Sequence, residues 1–229
     1  MKKSPAKWAK RFWEVFPGRS SDSFSLVADV PGGVPRPAMS PAEIVLLQNS
    51  FAKSRNYLEF GSGGSTFLAI ETPVEMCWSV DSDAGWIAKM REWEPIRNAE
   101  ASGQLKFHHA DIGRVQALGV PIDRTPKASW SSYFLRVWGK LDEPPDLVLV
   151  DGRFRLGCAL ATLLACPEDT ALLIHDFGDF SGFRRNYRLI LDFADVETTS
   201  GKLARLRRKR DFSAMKALAL LDFARTDLV

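Results

Sequence analysis

Five short apolar runs, each closing on an acidic residue and separated by stretches of helical spacing, constrain this chain more than any other feature of its sequence. They are Tyr57 to Phe60 with Glu59 at its end, Met76 to Val80 followed by Asp81, and Leu105 to Ala110 followed by Asp111. The fourth, Pro145 to Val150, is followed by Asp151, and the fifth, Ala171 to Ile174, by His175 and Asp176. Leu147 to Val150 is wholly aliphatic, as in a strand covered on both faces of a parallel sheet. Alternating strand and helix predicts an α/β domain built on a doubly wound, mostly parallel sheet. Val196 to Thr199 and Leu203 to Arg208, around Ser200-Gly201-Lys202, read as a C-terminal antiparallel hairpin, and Phe212 to Ala224 as a last helix. In such sheets ligands bind outside the carboxyl ends of the strands, so the five acids are expected to converge on one crevice.

The turn after the first strand, Glu59-Phe60-Gly61-Ser62-Gly63-Gly64-Ser65-Thr66, predicts a backbone that grips a ligand closely. A dinucleotide site wants a third glycine where Ser65 and Thr66 stand, and an acid beside the turn repels a diphosphate. That acid suits a ligand carrying an ammonium as well as a carboxylate, such as S-adenosylmethionine. Asp81 follows at about the twenty-residue distance of an acid that holds a ribose.

An acid followed by Gly61, Gly63 and Gly64 resembles the first motif of the class I methyltransferases, which implies a Rossmann-like methyltransferase fold closed by an antiparallel hairpin. The resemblance implies S-adenosyl-L-methionine as cofactor, held by Glu59, Gly61, Ser62, Gly63, Gly64, Ser65 and Thr66. Asp81 would then take the ribose and Asp111 the adenine amino group. Together with Pro145 to Leu160 and Trp130 to Trp138, the turn looks like a little-characterised bacterial branch of methyltransferase-like proteins, from about Pro37 through Asp176. The expected activity is O-methylation of a small or carbohydrate-like acceptor. The alternatives are a non-catalytic module binding S-adenosylmethionine or a nucleotide, and an NAD-binding oxidoreductase; Glu59 and the missing glycine disfavour the latter.

Asp151, His175 and Asp176, at the ends of neighbouring strands, are the expected catalytic end. The pattern resembles sugar O-methyltransferases that bind magnesium through an acid after strand four and an acid pair after strand five, except that His175 replaces one acid. Histidine is a poor magnesium ligand, so a metal-free site with His175 as general base is preferred to a divalent cation on Asp151 and Asp176. Arg153 and Arg155 flank Phe154 at the mouth of the crevice, where each reads either as a substrate-binding clamp for a carboxylate or phosphate or as an internal salt bridge. Trp130, Tyr133, Phe134 and Trp138 are expected in the core. The run Arg205, Arg207, Arg208, Lys209, Arg210 reads as a solvated strand face; a nucleic-acid partner is not expected.

A chain of 229 residues, 45% hydrophobic, is long enough for one substantial core, and a net charge of +3 demands no polyanionic partner. Cys77, Cys158 and Cys166 have no metal-ligand spacing and read as buried thiols in a reducing compartment. No apolar stretch is long enough to span a membrane, and a cytoplasmic location is expected. Residues 1–36 read as a basic, aromatic arm and linker before a domain at 37–229. Trp8, Phe12, Val15 and Phe16 share one helical face of the arm, which is expected to pack on its own domain. Neither the acceptor nor the oligomeric state is legible.

Overall fold

The structure, a computed structural model, describes residues 35–123, 125, 128–178, 180 and 182–225. The face formed by Trp8, Phe12, Val15 and Phe16 lies outside the described residues. The unit Arg36–Val229 is organised around a seven-stranded sheet.

Helix α1 (Pro41–Phe51) begins with a capping box: Ser40 Oγ accepts from the Glu43 amide and Glu43 Oε2 accepts from the Ser40 amide at 2.6 Å. Strand β1 (Asn56–Phe60), helix α2 (Gly64–Ile70) and strand β2 (Met76–Asp81) follow, then helix α3 (Ala84–Met90), capped by Asp83. The sequence spacing carries α3 on to Trp93, but Pro95 cannot continue a helix, so the chain restarts as α4 (Glu94–Ser102) with Trp93 as its cap. After β3 (Leu105–His109) comes a small pair, β4 (Val115–Gln116) and β5 (Val120–Pro121), around the positive-φ residues Leu118 and Gly119. The aromatic stretch forms two 3-10 segments, Ala128–Ser131 and Val137–Lys140, on either side of α5 (Ser132–Leu135). Next are β6 (Leu147–Val150), α6 (Arg155–Ala165) and β7 (Ala171–Ile174). A 3-10 helix, Gly182–Asp192, follows. The hairpin β8 (Ala194–Ser200) and β9 (Leu203–Arg208) and helix α7 (Ala214–Ala224) complete the unit.

The strand order is β3-β2-β1-β6-β7-β9-β8, parallel from β3 through β7, with β9 antiparallel to both β7 and β8. The doubly wound sheet and its C-terminal hairpin are therefore as the sequence predicts. Alternation along the strands builds two cores. Leu147, Leu149 and Leu173 join Leu47, Phe51, Phe67, Met90 and Ile96 on one face. Val148, Val150 and Ile174 join Trp130, Tyr133, Phe134, Phe154 and Leu160 on the other, so three of the four aromatic residues expected in the core are there, with Trp138 partly buried against it. The three cysteines are free and buried. Arg205 and Arg207 pair with Glu197 on the exposed strand face, as a solvated face allows, while Arg208 turns inward to donate to the carbonyls of Leu163 and Cys166 at the end of α6.

Candidate active site

The winding of the sheet reverses between β1 and β6, which places a crevice at their carboxyl ends. The strand ends nearly touch there: a Cβ on Gly61, whose φ is +104°, would lie 2.8 Å from Gly152 Cα. Gly63 faces open space, whereas Gly64 lies under the backbone of Arg36 and Pro37, where a Cβ would come within 2.1 Å.

On the β1–β2 side the period-2 alternation turns Glu59 to the same face as Tyr57, beneath α2. Its carboxylate is fully buried and accepts four hydroxyls: Tyr57 at 2.9 Å and Ser65 at 2.7 Å on Oε2, Ser79 at 2.7 Å and Thr66 on Oε1. A carboxylate offers about four lone-pair directions, so none is left for a ligand ammonium. This corrects the sequence expectation for Glu59, and for the hydroxyls of Ser65 and Thr66, which hold Glu59 instead of cofactor. Ser62 likewise turns its hydroxyl to Ser79 at 2.6 Å. Burial pushes the Glu59 carboxyl above its usual range, and the hydroxyls only partly offset that.

Asp81, also buried, accepts the amides of Ser62 at 3.0 Å and Asp83 at 2.9 Å, with Ser82 contributing a third backbone bond. Unlike Glu59, with three donors on its two oxygens it keeps acceptor capacity. Burial raises its pKa, countered by those amides. Asp111 is exposed, and its Oδ1 closes a turn by accepting the Gly113 amide at 2.9 Å.

The β6–β7 side is ionic. Arg155, nearly fully buried at the start of α6, spends all its donors inward: Nε on the Gly152 carbonyl, Nη1 on the His175 carbonyl and Asp176 Oδ2 (3.3 Å), Nη2 on the carbonyl and Oδ1 of Asp151 (3.0 and 3.1 Å). Arg155 is thus the internal salt bridge, not a substrate clamp. Asp176, at φ +58°, also pairs with Arg184 at 3.1 Å. His175 Nδ1 bonds Asp151 Oδ1 at 3.0 Å, while Nε2 is buried, unpartnered and 3.8 Å from Glu43 Oε1. Glu43 in turn accepts the Lys202 amide in the β8–β9 turn. The imidazole therefore stands behind Asp151 rather than in front of it. The Asp151 side chain is 29% exposed against 10% for His175, and no described residue bonds Asp151 Oδ2.

Burial alone would raise the Asp151 carboxyl, but the His175 hydrogen bond and the Arg155 charge outweigh it and hold the pKa low. Burial opposes charging of His175, yet the bond and charge of Asp151 raise its pKa. Potential ligand atoms of Asp151, His175 and Asp176 lie within 4.8 Å of one another, as a cation site requires. The donor set nevertheless does not fit a divalent cation, because the Arg155 guanidinium already bonds both carboxylates. Arg153 is different from every other charged group here: its Nε is buried without a partner, and its guanidinium makes no hydrogen bond or ion pair among the described residues.

A methyltransferase-like protein from Silicibacter pomeroyi is 32% identical to this chain, with a TM-score of 0.72 over 85% of this chain and 98% of that one. The cofactor-bound Rv0187 from MTB shares the fold at 15% identity and a TM-score of 0.53, over 92% and 99% of the two chains. An O-methyltransferase from Bacillus cereus in complex with SAH does so at 16% and 0.51, over 75% and 82%. No protein-family model matches the chain, and a comparison with curated proteins finds no match.

Proposed function

Because the chain belongs to the class I S-adenosylmethionine-dependent methyltransferase superfamily, in its methyltransferase-like branch, we propose that it methylates a hydroxyl group on a small or carbohydrate-like acceptor. The observation that carries this reading is the unequal state of the two acids beside the turn. Glu59 is saturated from within and fixes the turn, whereas Asp81 retains acceptor capacity at the end of β2. An acid there suits a ribose diol, and open space at Gly63 leaves room for the rest of the ligand. When bound, the cofactor supplies an activated sulfonium methyl.

The chain's task is then to align the attacking oxygen and receive its proton. Asp151 Oδ2 is the open atom for that hydroxyl, and His175 behind it is the positioning residue: through Nδ1 it fixes the rotamer of Asp151 and shares the proton's charge. His175 is therefore reassigned from direct base to the support of Asp151. Asp176 holds Arg155 and Arg184 in place and is not assigned to the acceptor. The Cys158 and Cys166 thiols, pushed up by burial, take no part.

The test is calorimetric titration of the protein with S-adenosylhomocysteine and with NAD, followed by transfer of labelled methyl from S-adenosylmethionine to a panel of hydroxyl acceptors. Binding of the former alone, with label appearing in an acid-stable, base-resistant ether, supports the reading. Binding of NAD alone, or label appearing only in esters or amines, contradicts it.

A further inference from the structure

Arg153 and Arg155 stand two residues apart on opposite sides of Phe154, which adopts a left-handed backbone at φ +54°. The left-handed residue turns the chain between them, so their side chains meet different surroundings. Arg155 is closed on five internal acceptors, and these include both neighbouring carboxylates. Asp151 is close enough to act on Arg153 through its charge, but its Oδ1 is already shared by His175 and Arg155, and no salt bridge to Arg153 forms. The stem of Arg153 passes Gly119, whose Cβ position lies 3.8 Å from Arg153 Cγ and 3.9 Å from Asp81 Oδ1. The stem of Arg153 and the Asp81 carboxylate thus border the same glycine, and the charge at its end is felt by Asp151.

A cation drawn out of water without a counter-ion is unfavourable, and burial together with the nearby Arg155 pushes the Arg153 guanidinium down from its usual range. Within the fold the Asp151 charge offsets this only in part and without a hydrogen bond. A bound anion would gain, because a guanidinium offers a planar fork that matches a carboxylate or phosphate.

Resting on the methyltransferase reading of the crevice, we infer that the acceptor carries a carboxylate or phosphate beside the hydroxyl to be methylated, and that Arg153 binds it. The acceptor class is then a hydroxy acid or a phosphorylated or uronic-acid-like sugar rather than a neutral one. Its anion is read by Arg153 and its hydroxyl by Asp151.

Thermal unfolding of the protein saturated with S-adenosylhomocysteine, with inorganic phosphate or acetate added and sodium chloride at matched ionic strength as control, tests this. At least one anion should raise Tm by about 2 °C or more over the chloride control in the wild type. Arg153→Met should abolish that increment, leave S-adenosylhomocysteine affinity within about twofold, and keep Tm without anion equal to or above the wild type, as removal of an unpaired charge predicts. An anion increment that survives Arg153→Met, or its absence from the wild type with both anions, overturns the inference. So does a large loss of S-adenosylhomocysteine affinity in Arg153→Met, which would give Arg153 to the cofactor's own carboxylate. Lower Tm without anion would make Arg153 structural. Failure of the methyltransferase reading itself would appear separately, as absence of S-adenosylhomocysteine binding to the wild type.

Discussion

The two banks of the crevice solve the burial of charge in different ways. On the β1–β2 bank each acid is neutralised by neutral donors, four hydroxyls for Glu59 and three amides for Asp81. On the β6–β7 bank charge meets charge: Asp151, Asp176, His175 and Arg155 form one network, with Arg184, Lys202 and Glu43 at its rim. Two buried atoms without a partner, Arg153 Nε and, behind Asp151, His175 Nε2, belong to this second bank. A neutral-donor bank is rigid and pre-formed, which suits a ligand bound the same way in every turnover. An ionic bank with unsatisfied atoms responds to what enters it, which suits the reacting partner.

The largest way to break that comparison is Arg155→Met. It leaves two carboxylates facing each other without their shared counter-ion, and unfolding in denaturant should report a loss of about 3 to 5 kcal/mol. A loss below 1 kcal/mol would mean that the ionic bank does not depend on its clamp. Next, Glu59→Ala strands four buried hydroxyls under α2 and should cost about 1 to 3 kcal/mol by the same measurement. If stability were unchanged while cofactor affinity collapsed, Glu59 would be a ligand after all.

The smallest effect is a pH dependence. His175, raised above its ordinary 6.5, contributes stability in full below that value and loses it as pH rises through its folded pKa. Asp151 and Glu43, held below 3.8 and 4.5, contribute above those values and lose it as pH falls through their folded pKa values. For Glu43 burial works the other way and the amides of Ser40 and Lys202 outweigh it. Melting curves should therefore show a plateau between about 4.5 and 6.5 from these groups, with a fall on each side. His175→Gln should remove the alkaline fall alone, and an alkaline fall that persists would assign it to another group.

The strands were legible in the sequence because each apolar run is short, aliphatic and closed by an acid, and parallel burial requires such runs. The crevice was legible for the same reason, since topology carries strand ends to one place. What each acid does there was less legible. Glu59 meets Ser79 through the β1–β2 register and meets Ser65 and Thr66 through the first turn of α2. Neither meeting can be read before the pairing is known. Arg153 and Arg155 look equivalent in a row of letters; only the positive φ of Phe154 separates them. Helix α4 was legible in principle, because Glu94-Pro95 is a helix start, but the apolar spacing through Trp93 hid it. Glu43 reads as a capping residue from Ser40 alone, whereas its second role, on the Lys202 amide, depends on a contact across most of the chain.

The most direct test of the division between the banks is calorimetric titration of S-adenosylhomocysteine into the wild type, Asp81→Ala and Asp151→Asn. The wild type should bind. Asp81→Ala should bind about 5- to 150-fold more weakly, the equivalent of roughly 1 to 3 kcal/mol for lost hydrogen bonds to a charged acceptor, and Asp151→Asn should bind as the wild type does. No binding to the wild type, or an Asp151→Asn loss as large as that of Asp81→Ala, would contradict the assignment of cofactor to one bank and chemistry to the other.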